Sequence, residues 1–244
     1  MKRVFVAMIL AMVSLVASAQ SVATASVAGQ PLVISTPKTD LLAAFNSVKI
    51  DGPMTVVLKG VATAKEARIT YDTKGNETSK FKFDIDKKGL LTVSEKSDPK
   101  RTTVTEVIIY YHTLSEVKVA HAKATFEGIV KSNIFDLLVS GGAMVSINVR
   151  ALDIAIECTG SSRLTLGGST KYLTMRASTA KIDCANLSVV SATVDASHSA
   201  EVRMSIEERL EATTSTGAKL LYKGKPIILR NHNVIFGGDV ININ

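Results

Sequence analysis

Ser197-His198-Ser199 sets two hydroxyls beside an imidazole, the pairing that activates a serine nucleophile. That chemistry needs both side chains on one side of the chain. Neighbours on an extended strand point to opposite faces, so adjacency in sequence works against the bond. Gly141-Gly142, inside "VSGGAMVSI", suggests a second chemistry, a loop that cradles phosphate. Such a loop is followed by a helix whose N-terminus faces the anion, and by a Lys-Ser/Thr pair. The stretch that follows, "AMVSINV", alternates as a strand does and supplies neither. The other histidines, His112, His121 and His232, show no metal-ligand spacing with one another or with Cys158 and Cys184. The acids Asp136, Asp153, Glu157, Asp183, Asp195 and Glu201 fall in unrelated positions rather than as a facing pair. The expectation is therefore no catalytic residue set, no metal and no cofactor.

These residues sit on elements that repeat. Six short stretches align around a small residue: "AHAKATF", "VSGGAMV", "CTGSSRL", "RASTAKI", "ASHSAEV" and "TSTGAKL". Their fifth positions are Ala124, Ala143, Ser162, Ala180, Ala200 and Ala218, at intervals of 19, 19, 18, 20 and 18. Two residues later come Phe126, Val145, Leu164, Ile182, Val202 and Leu220. Gly128, Ile147, Leu166, Cys184, Met204 and Tyr222 follow at the next alternate position, and Leu137, Ile156, Thr174, Val194 and Ala212 share a slot upstream. Period-two alternation on both sides of a small segment reads as strand, bend, strand. A unit this short buries its apolar slots only by stacking on its neighbours, as a parallel β-helix does. The leucine and asparagine pattern of leucine-rich repeats is missing, and no aliphatic residue recurs strictly every six as in the hexapeptide β-helix. The predicted fold is thus all-β, a parallel β-helix (solenoid) with coils of 18–20 residues.

Stacking gives the isolated residues new meanings. Gly141-Gly142 becomes a corner where smallness is required. His121 and His198 fall four coils apart, roughly 19 Å at the spacing of adjacent strands, too far to share a metal. Cys184 occupies an apolar slot, which suits a buried thiol acting as a small hydrophobe. Cys158 lies on the other arm of its bend, and a bond to Cys184 would need Cα atoms within about 7 Å. Arg163, Lys181, Glu201 and Lys219 fill slots between the inward ones, with Asp183 and Arg203 two residues over. The result is an outward face of mixed sign with a basic bias. It reads either as a solvated face whose opposite charges relieve stacking repulsion or as a shallow groove for an acidic polymer. Arg163, Lys181, Arg203 and Lys219 are its candidate contacts.

The ends bound the location. Lys2 and Arg3 precede an apolar run of 13 residues, Val4 to Val16, and Ala17-Ser18-Ala19 follows, the pattern of a secretory leader. That run is too short to span a bilayer, and no other segment approaches such a length. Removing Lys2 and Arg3 lowers the net charge from +7 to +5, with lysines dispersed, which does not favour nucleic acid. The expected organisation is a leader over 1–19, a linker or irregular segment over 20–44, and a β-helix domain over 45–244. Within that domain 45–115 is a less regular first section, 116–226 holds the repeat coils, and 227–244 is a terminal strand or cap. The mature chain is expected to be exported, to the periplasm, the outer surface or the medium, with no membrane span.

"FNSVKIDGPMTVVLKG", "GLLTVSEK" and "VIIYYHTLSEVKVAHAKATFEG", followed by small-residue repeats that end in "LLYKGKP", resemble the head GIN domain family of exported proteins, labelled auto-transporter adhesins. The resemblance runs from about Phe45 to Asn244, and its Ser-Gly-Ser bends are replaced here by Ser-Gly-Gly, Thr-Gly-Ser and related triplets. It implies a right-handed β-helix, often in two packed sections, and no transferable catalytic residues. The function expected is a non-enzymatic adhesion, binding or scaffold module of the cell envelope, with an envelope polysaccharide or another surface protein as partner. The alternative is a carbohydrate-active β-helix enzyme, a polysaccharide lyase or hydrolase. The charge-poor "NVIFGGDVININ" raises self-association through the terminal coils, because such an edge must pair or be capped.

Overall fold

The structure is a computed structural model and describes residues 35–74, 80–233 and 236–244. The expected leader and most of the expected linker lie outside the described residues.

Strands of alternating burial build a β-solenoid of two main sheets. From Glu116 onward the chain makes seven passes over the first sheet, beginning near Glu116, Ile134, Asp153, Tyr172, Ser191, Arg209 and Ile228. Each pass turns a tight corner and returns through the second sheet, all pairings between passes being parallel. At the opposite corner the strands Met144–Thr159 and Arg163–Ser178 run through without a break. Inward residues stack in register: Leu137, Ile156, Met175, Val194 and Ala212 on one sheet, and Val145, Leu164, Ile182, Val202 and Leu220 on the other. All ten are buried, so each coil supplies only a slice of a core completed by its neighbours.

Left-handed backbone makes the tight corners. Gly141-Gly142, Gly160-Ser161, His198-Ser199 and Thr216-Gly217 place two consecutive residues at positive φ, whereas the corners at His121 and Thr179 use one. Small inward residues follow each corner, because a bulky one would meet the corner of the next coil. This ladder is Ala122, Ala143, Ser162, Ala180, Ala200 and Ala218, linked by bonds such as Met144 N–H to Ala122 O and Arg163 N–H to Ala143 O.

Two predicted slots are corrected. Ala124 pairs with Val145 rather than Ala143, so the first copy of the repeat is shifted by two residues. A two-residue shift preserves the inward face, which hides it in the pattern. The strand Lys123–Lys131 then bulges, its partner register jumping from Thr125 to Ile129, and takes Phe126 and Gly128 out of the ladders assigned to them. Met175, not Thr174, fills the slot between Ile156 and Val194, and Thr174 is exposed. The single-residue corner at Thr179 shortens the count back from Ala180 by one.

The first section is threaded out of order. Ser47–Asp51 lies between Leu90–Ser94 and Glu116–Ala120, and Met54–Gly60 lies between Thr105–Tyr111 and Lys123–Lys131. The first coil in the chain is therefore the second in space. The outer coil is flanked by antiparallel strands, Arg68–Asp72 with Lys38–Leu41 beyond it on one sheet and Lys82–Ile85 on the other. Tyr71, Phe81 and Phe83 cluster at this end, with Tyr71 stacked on Phe81 at 4.8 Å between ring centroids. Three of the twelve aromatic residues thus pack together at this end of the solenoid.

The same end holds a buried ion pair. Glu95 continues the inward alternation of Leu91 and Val93, and its carboxylate accepts from the Arg101 guanidinium and from the Thr105 hydroxyl at 2.8 Å. Arg101 also donates to Thr73 O at 3.0 Å and to Thr105 Oγ1 at 2.7 Å, which ties the crossing between the two strands of the outer coil to its neighbour.

Candidate functional site

Parallel register converts spacing in sequence into columns of side chains on the surface. On the second sheet Met144, Arg163, Lys181, Glu201, Lys219 and Asp239 form one outward column, and Ser146, Thr165, Asp183, Arg203 and Leu221 form the next. Arg163, Lys181 and Arg203, together with Asp183 and Glu201, line an open groove of about 250 Å³. Lys219 lies one coil beyond Glu201 on the same column and does not line it. Arg203 Nε stands 3.7 Å from Glu201 Oε1. Among the described residues Arg163, Lys181 and Lys219 form no ion pair, and Arg163 and Lys181 on adjacent coils present like charges about 4.8 Å apart.

A second groove, of about 220 Å³, lies on the first sheet and was not anticipated. Asp136 stacks directly on Glu116, and Glu157 and Arg176 are the other charged residues of the lining. These acids come from three coils, so their proximity could be read only after the register was known. Lys118 pairs with Glu116 at 2.6 Å, which neutralises part of the cluster. Among the described residues no group of three or more His, Cys, Asp or Glu side chains could hold a metal ion.

The serine and histidine of the opening motif do meet, contrary to the expectation from strand geometry. His198 Nδ1 is 3.1 Å from Ser197 Oγ and 3.3 Å from Ser178 Oγ of the neighbouring corner. The reason is the left-handed turn at His198, which abolishes the alternation of an extended strand. The imidazole is exposed, and its contacts join two corner serines. His121 behaves similarly at its own corner, with Nδ1 2.9 Å from Asp51 Oδ1.

Both cysteines are buried free thiols, one in the ladder of Val139 and Ala177, the other in that of Met204. Burial pushes the Cys158 thiol up to about 12. Cys184 is raised further by burial, then by the nearby Asp183 and Cys158. The thiolate is the reactive form, so neither side chain is a nucleophile in the folded protein. We expect a small thiol reagent at neutral pH to modify neither cysteine in the native state. Both should react as the chain unfolds, and mass spectrometry along a denaturant series checks that the two curves coincide.

The described chain is thus a β-solenoid that carries charged columns over open grooves. The chain belongs to the family described as "Putative auto-transporter adhesin, head GIN domain", whose profile matches residues 44–226. Solved structures share the fold. A putative adhesin from Bacteroides fragilis superposes with a TM-score of 0.76 at 15% identity, over 86% of this chain and 97% of that one. A putative adhesin from Parabacteroides merdae gives 0.67 at 17%, over 86% and 96%. A protein from Parabacteroides distasonis described as a putative lipid binding protein gives 0.67 at 13%, over 86% and 97%. No curated protein matches the sequence. The family label is that of surface or exported proteins, and no described helix is long and apolar enough to cross a membrane.

Proposed function

We propose that this chain is a non-enzymatic binding module of the cell envelope, exported through the leader at 1–19, that contacts acidic polysaccharide through the cations Arg163, Lys181, Arg203 and Lys219 on the mixed-charge columns of its second sheet. The observation that carries the reading is the register that stacks Arg163 on Lys181, with Arg203 in the same groove and Lys219 further along the column. Membership of an adhesin-labelled family supports it. Cations repeated along the solenoid axis suit a linear polyanion, whose binding adds up over many weak contacts. Each exposed contact is weak alone and screened by salt.

The test is a combined charge reversal, Arg163→Glu with Lys181→Glu and Lys219→Glu, assayed on immobilised polygalacturonate and on a neutral glucan. The parent protein should bind the polyanion alone, and binding should weaken as salt rises. The triple variant should lose at least tenfold in affinity with an unchanged thermal melt. Equal binding by parent and variant would remove the groove from consideration. Release of reducing ends from the polymer would point instead to an enzyme.

A further inference from the structure

The two ends of the solenoid are built differently, and the difference bears on what this protein binds besides any polymer. At the end near the outer coil the sheet edges are Lys38–Leu41 and Lys82–Ile85, each four residues long and antiparallel to the strand it covers. They carry Lys38, Asp40, Lys82 and Asp84, and short charged strands are how proteins blunt an edge. At the other end the edges are Ile228–Asn233 and Asp239–Asn242, parallel to the coil beneath and uncovered among the described residues. Charge is sparse there: Arg230 and Asp239 are the only fully charged side chains on those two strands. Ile227, Ile228, Leu229, Phe236 and Ile241 are all exposed in this last coil, five of the twelve exposed large hydrophobics among the described residues.

Backbone polarity at this end is also set for pairing. Ile228 N–H donates down to Glu208 O and Asp239 N–H down to Ala218 O. Strand geometry then turns the N–H groups of Leu229, Asn231, Val240 and Asn242 toward the open side. A cover that continues both sheets in the same sense offers two edge strands of opposite direction, one sheet-to-sheet spacing apart, roughly 10 Å. The same end of a second copy, rotated about a two-fold axis normal to the sheets, offers that pair. The other end of a second copy does not, because Lys38–Leu41 and Lys82–Ile85 run in the same direction.

We propose that the chain forms a two-fold symmetric dimer in which the last coils of two copies pair edge to edge, both sheets continuing antiparallel across the junction. Side chains keep their inward or outward sense only if the central residue pairs with itself. Centring on Arg230 sets two guanidiniums opposite each other, which is destabilising. Centring on Asn231 sets amide opposite amide and Arg230 opposite His232. With its open N–H and C=O, Asn231 would then form a hydrogen-bonded pair with its symmetry mate, Cα atoms about 5.5 Å apart. The contact is isologous, so it closes on itself and does not propagate as a fibre. This proposal is independent of the polysaccharide reading, since the basic groove lies on an outward face and not on this edge.

The test uses the chain without its leader in sedimentation velocity over a concentration series. The parent should approach twice the monomer mass as concentration rises. Asn231→Pro removes an edge donor and leaves the ladder below intact, and Leu229→Lys charges the edge without altering the backbone. Both should sediment as monomers at every concentration, with melting profiles like that of the dilute parent. Asn231→Cys should give a disulfide-linked dimer on mild oxidation, because a Cα separation near 5.5 Å fits a disulfide. A parent that stays monomeric overturns the proposal, as does a dimer that persists in both edge variants. A series of higher oligomers would show head-to-tail stacking and would also overturn it. If the edge is taken by a different chain, the purified parent stays monomeric, and the proposal fails by the same reading.

Discussion

Gly168→Ala should destabilise the protein by about 4 kcal/mol or more, an exceptional loss that here comes from a clash with fixed backbone. Gly168 adopts φ +115°, and a Cβ there would lie 1.9 Å from the carbonyl oxygen of Val149 on the adjacent coil. That oxygen belongs to the backbone of a paired strand, so relief requires separating two coils in a core packed like a crystal. Gly142 is the control. It also has positive φ, +75°, yet a Cβ there meets nothing within 4 Å. Equivalent corner positions hold Ser161 and Ser199. Gly142→Ala should therefore cost only the left-handed penalty, about 1 kcal/mol. Denaturant unfolding of the two variants separates the cases. Equal losses would mean that conformation, rather than coil-to-coil contact, sets the demand for glycine.

Arg101→Met should cost about 3–5 kcal/mol, the usual consequence of removing one partner of a buried pair. The Glu95 side chain is 1% exposed and that of Arg101 9%, so the variant would leave a buried carboxyl group without its guanidinium. Two further bonds, to Thr73 O and Thr105 Oγ1, are lost together with the ion pair. The double variant Glu95→Leu with Arg101→Met should recover much of the loss, because a buried pair replaced by apolar groups is often near neutral. The midpoint of denaturant unfolding checks both statements. A double variant no more stable than Arg101→Met would show that the contacts to Thr73 and Thr105, not the stranded carboxyl group, dominate.

Alternation and small corners were enough to read the solenoid from the residues, because each coil repeats the same demand for apolar slots and tight bends. The slots that were misread have physical causes. Thr174 took the place of Met175 because the Thr179 corner is one residue shorter than most, and nothing in residue type announces a shorter corner. Ala124 took the place of Ala122 because a period of two is blind to a shift of two. The column of Arg163, Lys181 and Lys219 was visible because each follows directly on the small residue after its corner, Ser162, Ala180 and Ala218, which fixes its slot whatever the length of the corner. The acidic groove was hidden because Glu116, Asp136 and Glu157 come from three coils with intervals no motif records. Glu95 could have been found: it stands at the third inward position after Leu91 and Val93, where an acid requires a buried cation nearby.

The displaced first coil bears on the order in which the chain can fold. Ser47–Asp51 and Met54–Gly60 emerge first from synthesis or export, yet neither has a neighbour until residues 90–131 have followed. Loop closure over such separations has to precede the contacts that reward it, which slows the nucleating step. Once those three coils lock, each later pass docks onto a finished template and adds mostly nearest-neighbour contacts. The barrier is thereby concentrated in the N-terminal half, and the rest of the solenoid grows by elongation.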